Sequence, residues 1–346
     1  MRDLRSRNPA TGDGSDEGFL VRCAAMVEAV DAAQARANAM PGLWGGDRAS
    51  SSQRSRTGSH STRAVLDALC LYMAQAAQCT VEADVRRISA DTGYGRTTVH
   101  EALRRLATPT DGASLESAWI VREGTPEGAH AQRYRLSQKF STGAGAGNRT
   151  QVLARPVAAS PLQARTQHIA RLAKNLQTLA HDTFAAPRSL GRTAGLVYKH
   201  IDEGSVLTVD ELTRSTGLDA LRTRQALRTL HLHGLVSRSD HGWTREEGSS
   251  VDAVAHALNV AGHLEARRAR YADERHCWAW WQAEVQWMSR RGKRRRRPSP
   301  TAIPLLSVSD RPDYPRYPRR AGRGDHRAAL ALVRAGSGGA PVLRAA

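Results

Sequence analysis

Two stretches of this chain align without gaps at an offset of 124 residues, and that repeat constrains the fold more than any other feature. Ile88, Thr92, Gly93, Ala102, Leu103, Arg104 and Leu106 correspond to Leu212, Thr216, Gly217, Ala226, Leu227, Arg228 and Leu230. Each copy reads as a short helix, a turn at Gly93 or Gly217, and a second helix. In the first copy Val99, Ala102, Leu103 and Leu106 follow i, i+3, i+4, i+7 spacing, which turns one apolar stripe toward a core. Thr98, His100, Glu101, Arg104 and Arg105 are left outside it. In the second copy Thr223, Ala226, Leu227 and Leu230 form the stripe, and Arg222, Arg224 and Arg228 point outward.

The segment after each helix pair narrows the fold. Trp119-Ile120-Val121 and Gln132-Arg133-Tyr134-Arg135-Leu136 are β-like runs joined by a turn-rich connection at 125–129. Leu235-Val236-Ser237-Arg238 and Trp243-Thr244-Arg245 are joined by Asp240-His241-Gly242 in the same way. The preceding helices are expected at 61–77 and 193–203, and an insertion at 108–117 separates the first recognition helix from its wing. The sequence thus predicts a mainly α protein with small β-hairpin wings: two winged helix-turn-helix domains, a long C-terminal helix and a disordered basic tail.

Residues 1–60 carry an amphipathic helix, with Phe19, Cys23, Met26, Val27 and Val30 at helical spacing and no core of its own, then a flexible Ser/Arg/Gly-rich linker. Winged-helix domain 1 is expected at 61–140 and a Gly-rich linker at 141–160. A helix with Ile169, Leu172, Leu176 and Leu179 on one face, plus winged-helix domain 2, is expected at 161–245. A long Trp-rich helix at 246–290 carries the cap signal Ser249-x-x-Asp252. In it Trp278, Trp281, Val285 and Met288 repeat at the spacing of a heptad seam, with Trp280 and Trp287 on a neighbouring face. These indoles either close the core of the second winged helix or form a homodimer interface suited to two half-sites about 34 Å apart.

Of 346 residues, 51 are Lys or Arg and 33 Asp or Glu, a net +18, and all but four of the bases are arginine. A GC-rich genome accounts for arginine over lysine. It does not account for the surplus of base over acid, which points to a polyanionic partner. Residues 290–346 hold fifteen Lys or Arg against Asp310, Asp313 and Asp325, so most of the net charge lies there. Arg290, Arg291, Lys293, Arg294, Arg295, Arg296 and Arg297, followed by Pro298 and Pro300, read as a flexible basic arm that attaches to phosphates irrespective of sequence.

Other classes are set aside on local grounds. Cys23, Cys70, Cys79 and Cys277 form no CxxC pair, which suits free thiols in the cytoplasm. The most apolar segment, 65–77, is interrupted by Asp67 and falls short of the roughly 18 residues that span a bilayer, so no membrane partner is expected. No HExxH or zinc-finger spacing, no GxxxxGK[ST], no GxSxG and no strand-linked GxGxxG occurs, so neither metal, cofactor nor catalytic residue is expected.

The run Arg96-Thr97-Thr98-Val99-His100-Glu101-Ala102-Leu103-Arg104-Arg105-Leu106, preceded by Thr92-Gly93, resembles the recognition helix of GntR-type winged-helix regulators. His100 stands where that family usually has Arg. The chain as a whole resembles tandem winged-helix DNA-binding proteins of actinobacterial mobile elements, through its two repeats and the basic run Arg267-Arg268-Ala269-Arg270 leading to Trp278-Ala279-Trp280-Trp281. The first resemblance implies that Arg96, Thr97, Thr98 and His100 meet DNA. By their chemistry Arg222, Arg224 and His100 suit base edges, whereas Arg96, Thr97, Arg104, Arg228 and the wing residues Arg133 and Arg238 suit phosphates. The expected function is sequence-specific binding of double-stranded DNA in replication initiation or its control on a mobile element, on the nucleoid. A transcriptional regulator is the alternative, and a non-catalytic adaptor recruiting replication or partition machinery the second alternative.

Overall fold

The computed structural model describes residues 16–39, 60–109, 115–125, 131–140, 160–294 and 315–336. Residues 40–59 and 141–159, which hold most of the two expected linkers, most of the first hairpin's turn (126–129) and Arg295, Arg296 and Arg297 lie outside the described residues. Described residues are mainly helical with small antiparallel sheets, as the sequence predicts. They fall into two units, 1–264 and 265–346.

In the first unit α1 (Asp16–Ala39) buries Cys23, Met26, Val30, Ala33 and Ala37, while Phe19, placed on the expected stripe, is exposed. That face closes on α2 (His60–Ala76), whose Leu66, Leu69 and Met73 sit at the centre of the first core. Strand β1 (Thr80–Glu82) leads to α3 (Val85–Thr92), α4 (Arg96–Leu106) and strands β2 (Ile120–Glu123) and β3 (Arg133–Leu136). The strands form an antiparallel sheet in the order β1-β3-β2, with Tyr134 opposite both Val81 and Arg122.

Next comes α5 (Pro161–Leu179), started by a reciprocal cap between Ser160 and Gln163. The sequence assigned it to the second domain. Instead its Leu172 and Leu176 join the first core, and only Leu179 joins the second. The turn α6 (Asp182–Ala185), α7 (Arg192–His200), α8 (Val209–Thr216), α9 (Ala220–Leu232) and the hairpin β4 (Val236–Ser239) and β5 (Gly242–Arg245) complete the second half. A third strand is reduced there to one antiparallel bridge between Leu207 and Trp243. Val197, Ile201, Leu212, Leu227, Leu230 and Val236 fill this core, and Ala64 of α2 reaches into it.

The Thr-Gly pair explains why the repeats align. Thr92 donates its hydroxyl to Ile88 O at 2.7 Å and accepts the Tyr94 amide at 3.4 Å. Thr216 does the same with Leu212 O at 2.6 Å and the Leu218 amide at 3.3 Å. Gly93 and Gly217 then turn at φ +69° and +70°, a region that costs a side-chain-bearing residue strain.

The long helix expected over 246–290 is two helices. α10 (Val251–Ala257) is capped by Ser250 rather than Ser249, and α11 (His263–Arg294) begins after Asn259 and Gly262 have both taken positive φ. Val254 of α10 closes the second core, the task that the sequence offered to the tryptophans.

The tail is the larger correction. Within the second unit, residues 319–320 and 323–324 pair as β6 (Arg319–Arg320) and β7 (Arg323–Gly324), and α12 (His326–Arg334) comes next, capped by Asp325. Tyr317 and Ala329 are buried together with Cys277 and Trp280 of α11. Tyr317 meets both Trp280 and Trp281, Ala329, Leu330 and Val333 of α12 pack on the same cluster, and Gly324 lies against Trp281 so closely that a Cβ there would come within 2.7 Å of the indole. The tryptophans of the expected seam and of its neighbouring face therefore divide: Trp280 is fully buried and Trp281 partly covered by their own chain, Trp287 is partly buried, and Trp278 is half exposed.

Candidate nucleic-acid interface

The four residues that bury α4 (Val99, Ala102, Leu103 and Leu106) fix which side of it meets solvent. Arg96, Thr97, Thr98, His100 and Arg104 are all exposed. Thr97, His100, Glu101 and Arg104 stand at i, i+3, i+4, i+7 and make one outward row. Glu101 lies in the middle of it. Arg104 grips that carboxylate through Nη2 at 2.9 Å and Nε at 3.1 Å, and Arg105 adds a contact at 3.2 Å. The Arg104 hydrogen bonds hold the Glu101 carboxyl below its ordinary range, so it remains an anion among the bases.

Helix α9 has no such acid. Asp219 caps it, accepting the Arg222 amide at 2.7 Å, with its second oxygen 3.4 Å from Arg222 Nε. Beyond the cap every charged side chain on the helix is basic. Thr223, Ala226, Leu227 and Leu230 are buried, and Thr223 binds back to Asp219 O at 3.0 Å. Leu221, Arg224, Gln225 and Arg228 then form the outward row. Among the described residues none pairs with Arg224 or Arg228. Leu221 is absent from the sequence-based expectations, yet it is 65% exposed at the head of this row. Its signal is an apolar residue standing off the buried stripe at the start of the helix.

The strand arginines Arg133 and Arg238 differ in setting. Arg133 is exposed on β3 but lies between Glu82 and Glu123 in register, and Glu123 also pairs with Arg135 at 3.0 Å. Arg238 on β4 is exposed opposite Trp243, with no acid in register. Other arginines are structural: Arg245 donates to Ile201 O and lies 4.3 Å over the Tyr198 ring, and Arg165 donates to Ala74 O at 2.6 Å.

For the basic arm, α11 runs through Arg290, Arg291, Lys293 and Arg294, so the helix continues where the sequence suggested the start of a flexible segment. Among the described residues no helix is long and apolar enough to cross a membrane. Comparison with known protein families, curated proteins and solved structures gives no match.

Proposed function

We propose that this chain is a non-catalytic protein that binds duplex DNA in a sequence-specific manner, through two winged-helix halves whose reading elements are α4 and α9. One observation carries this reading: in both repeats the helix after the Thr-Gly turn buries an apolar stripe and turns a mostly polar, arginine-bearing row outward, Thr97, His100, Glu101 and Arg104 on α4 and Leu221, Arg224, Gln225 and Arg228 on α9. An α-helix fits the major groove of about 12 Å, and arginine and glutamine on its outer face can make paired hydrogen bonds to guanine and adenine edges. Leu221 suits the methyl group of a thymine. Arg238 and the basic residues around 290–297 add phosphate contacts.

The process served is replication initiation or its control, with transcriptional regulation the competing role. Footprinting the full chain on the DNA flanking its own gene tests both levels. Protection of repeated short segments supports an initiator, and protection of one promoter operator supports a regulator. Protection indistinguishable from that of random duplex would contradict sequence-specific binding.

A further inference from the structure

We propose that the two halves read DNA as one rigid pair that accepts a single spacing between its two half-sites, with Arg192 the positioning residue that sets it. The inference rests on the DNA-binding reading above and adds to it the geometry of the site.

Arg192 is the first residue of α7, in the second half, yet its guanidinium closes the turn of the first. Nη1 donates to Thr92 O at 3.0 Å and to Leu179 O at 2.8 Å, and Nη2 donates to Gly93 O. The same group lies over the Tyr94 ring, 4.2 Å from its centroid. Thr92, Gly93 and Tyr94 are the turn from which α4 departs. The last carbonyls of a helix have no partner within it, and a planar cation with five donors satisfies several of them at once. One side chain thus fixes the exit of α3, the end of α5 and the start of α7.

Three further contacts tie the two halves together. The unbroken helix α5 sends Leu172 and Leu176 into the first core and Leu179 into the second. Ala64 of α2 belongs to the second core. At Gly93 the two backbones meet so closely that a Cβ would lie 3.1 Å from Ala180 Cα. Rigid linkage makes the second contact intramolecular only when the half-sites match the protein's own separation. Each inserted base pair displaces a half-site by about 3.4 Å and turns it by about a tenth of a revolution.

The test has two arms. Duplexes selected from a random library by the full chain should share one spacing, and inserting five base pairs between the half-sites should weaken binding about a hundredfold. Arg192→Lys, which keeps the charge but loses the fork, should tolerate a wider range of spacings. Affinity that stays within about threefold across spacers would overturn the proposal while leaving DNA binding intact. Selection that enriches no sequence would instead refute the DNA-binding reading. The second arm does not depend on DNA: spin labels at Thr108→Cys and Leu232→Cys, in a Cys79→Ala background, should give one narrow distance that broadens in Arg192→Ala. A broad distribution in the parent labelled chain overturns the rigid pair.

Discussion

Tyr317 packs edge-on against Trp280, with ring centroids 4.9 Å apart, and so seals an indole that would otherwise face outward from α11. The Trp280 indole N–H donates to Pro315 O at 2.8 Å, and the Tyr317 hydroxyl meets His326 Nδ1 at 2.6 Å and Cys277 Sγ at 3.3 Å. A buried indole with a satisfied N–H marks a core rather than a docking face. Tyr317→Ala should therefore raise amide exchange in α11 around Cys277 and Trp280, whereas Trp278→Ala should leave that exchange nearly unchanged. Equal effects from the two variants would contradict this assignment.

Deleting 290–346 is consequently a poor test of the basic arm, because it removes the cover of Trp280 along with the charge. Replacing Arg290, Arg291, Lys293 and Arg294–Arg297 by Gln removes the charge alone. Affinity should then fall for all duplexes alike, and the plot of log affinity against log salt should flatten by about 0.9 for each phosphate no longer neutralised. An unchanged slope would show that these charges do not meet phosphate.

His60, at the start of α2, and His200, at the end of α7, are each held down to about 4, first by burial and then by positive charge. Lys199 and Arg222 face His60; Lys199, Arg63 and His60 face His200, with Asp202 opposing. An unfolded histidine titrates near 6.5, so between about 6.5 and 4 the unfolded chain takes up protons that the fold refuses. This contribution to stability is complete above the unfolded value and is lost as pH falls through that window, by on the order of 1–3 kcal/mol for each group. Urea midpoints at pH 7.5 and 5 should fall further in the parent chain than in His60→Gln/His200→Gln. Parallel losses would place the acid sensitivity elsewhere.

Gly93 and Gly95 sit two residues apart and should respond differently to alanine. Gly93 has φ +69° and touches Ala180 and Arg192, whereas Gly95 has an ordinary φ of −69° and open space where a Cβ would go. Gly93→Ala should cost about 1–3 kcal/mol from strain. Gly95→Ala should stay within about 0.5 kcal/mol. Denaturant unfolding of the two variants reads the difference directly, and similar costs would contradict the tight turn.

The repeat made the helix pairs and their buried stripes legible, because Val99, Ala102, Leu103 and Leu106 follow helical spacing and Thr-Gly is a local stop signal. The features that the sequence could not reveal are long-range. Nothing local marks Arg192 as a cap for a turn a hundred residues earlier, or distinguishes structural Arg245 from outward Arg238 in an arginine-rich chain. Helix α5 reads as one amphipathic element, and only packing divides its leucines between two cores. In the tail Ala329, Leu330 and Val333 stand at helical spacing, but the seating of Tyr317 and Gly324 on two indoles is a match of shapes that no local signal marks. Glu101 was legible as outward, but its grip on Arg104, and with it the weaker positive character of α4 relative to α9, required the geometry.

Fluorescence anisotropy with the duplex selected by the full chain tests the central claim most directly. The parent chain is compared with Arg222→Ala/Arg224→Ala on α9 and with Arg96→Ala/Thr98→Ala on α4, each checked for retained fold by circular dichroism. Affinity should drop by about 1–3 kcal/mol for each base contact removed, with reduced discrimination against random duplex in both variants. Unchanged affinity and discrimination in folded double variants would contradict the claim that these two helices read DNA.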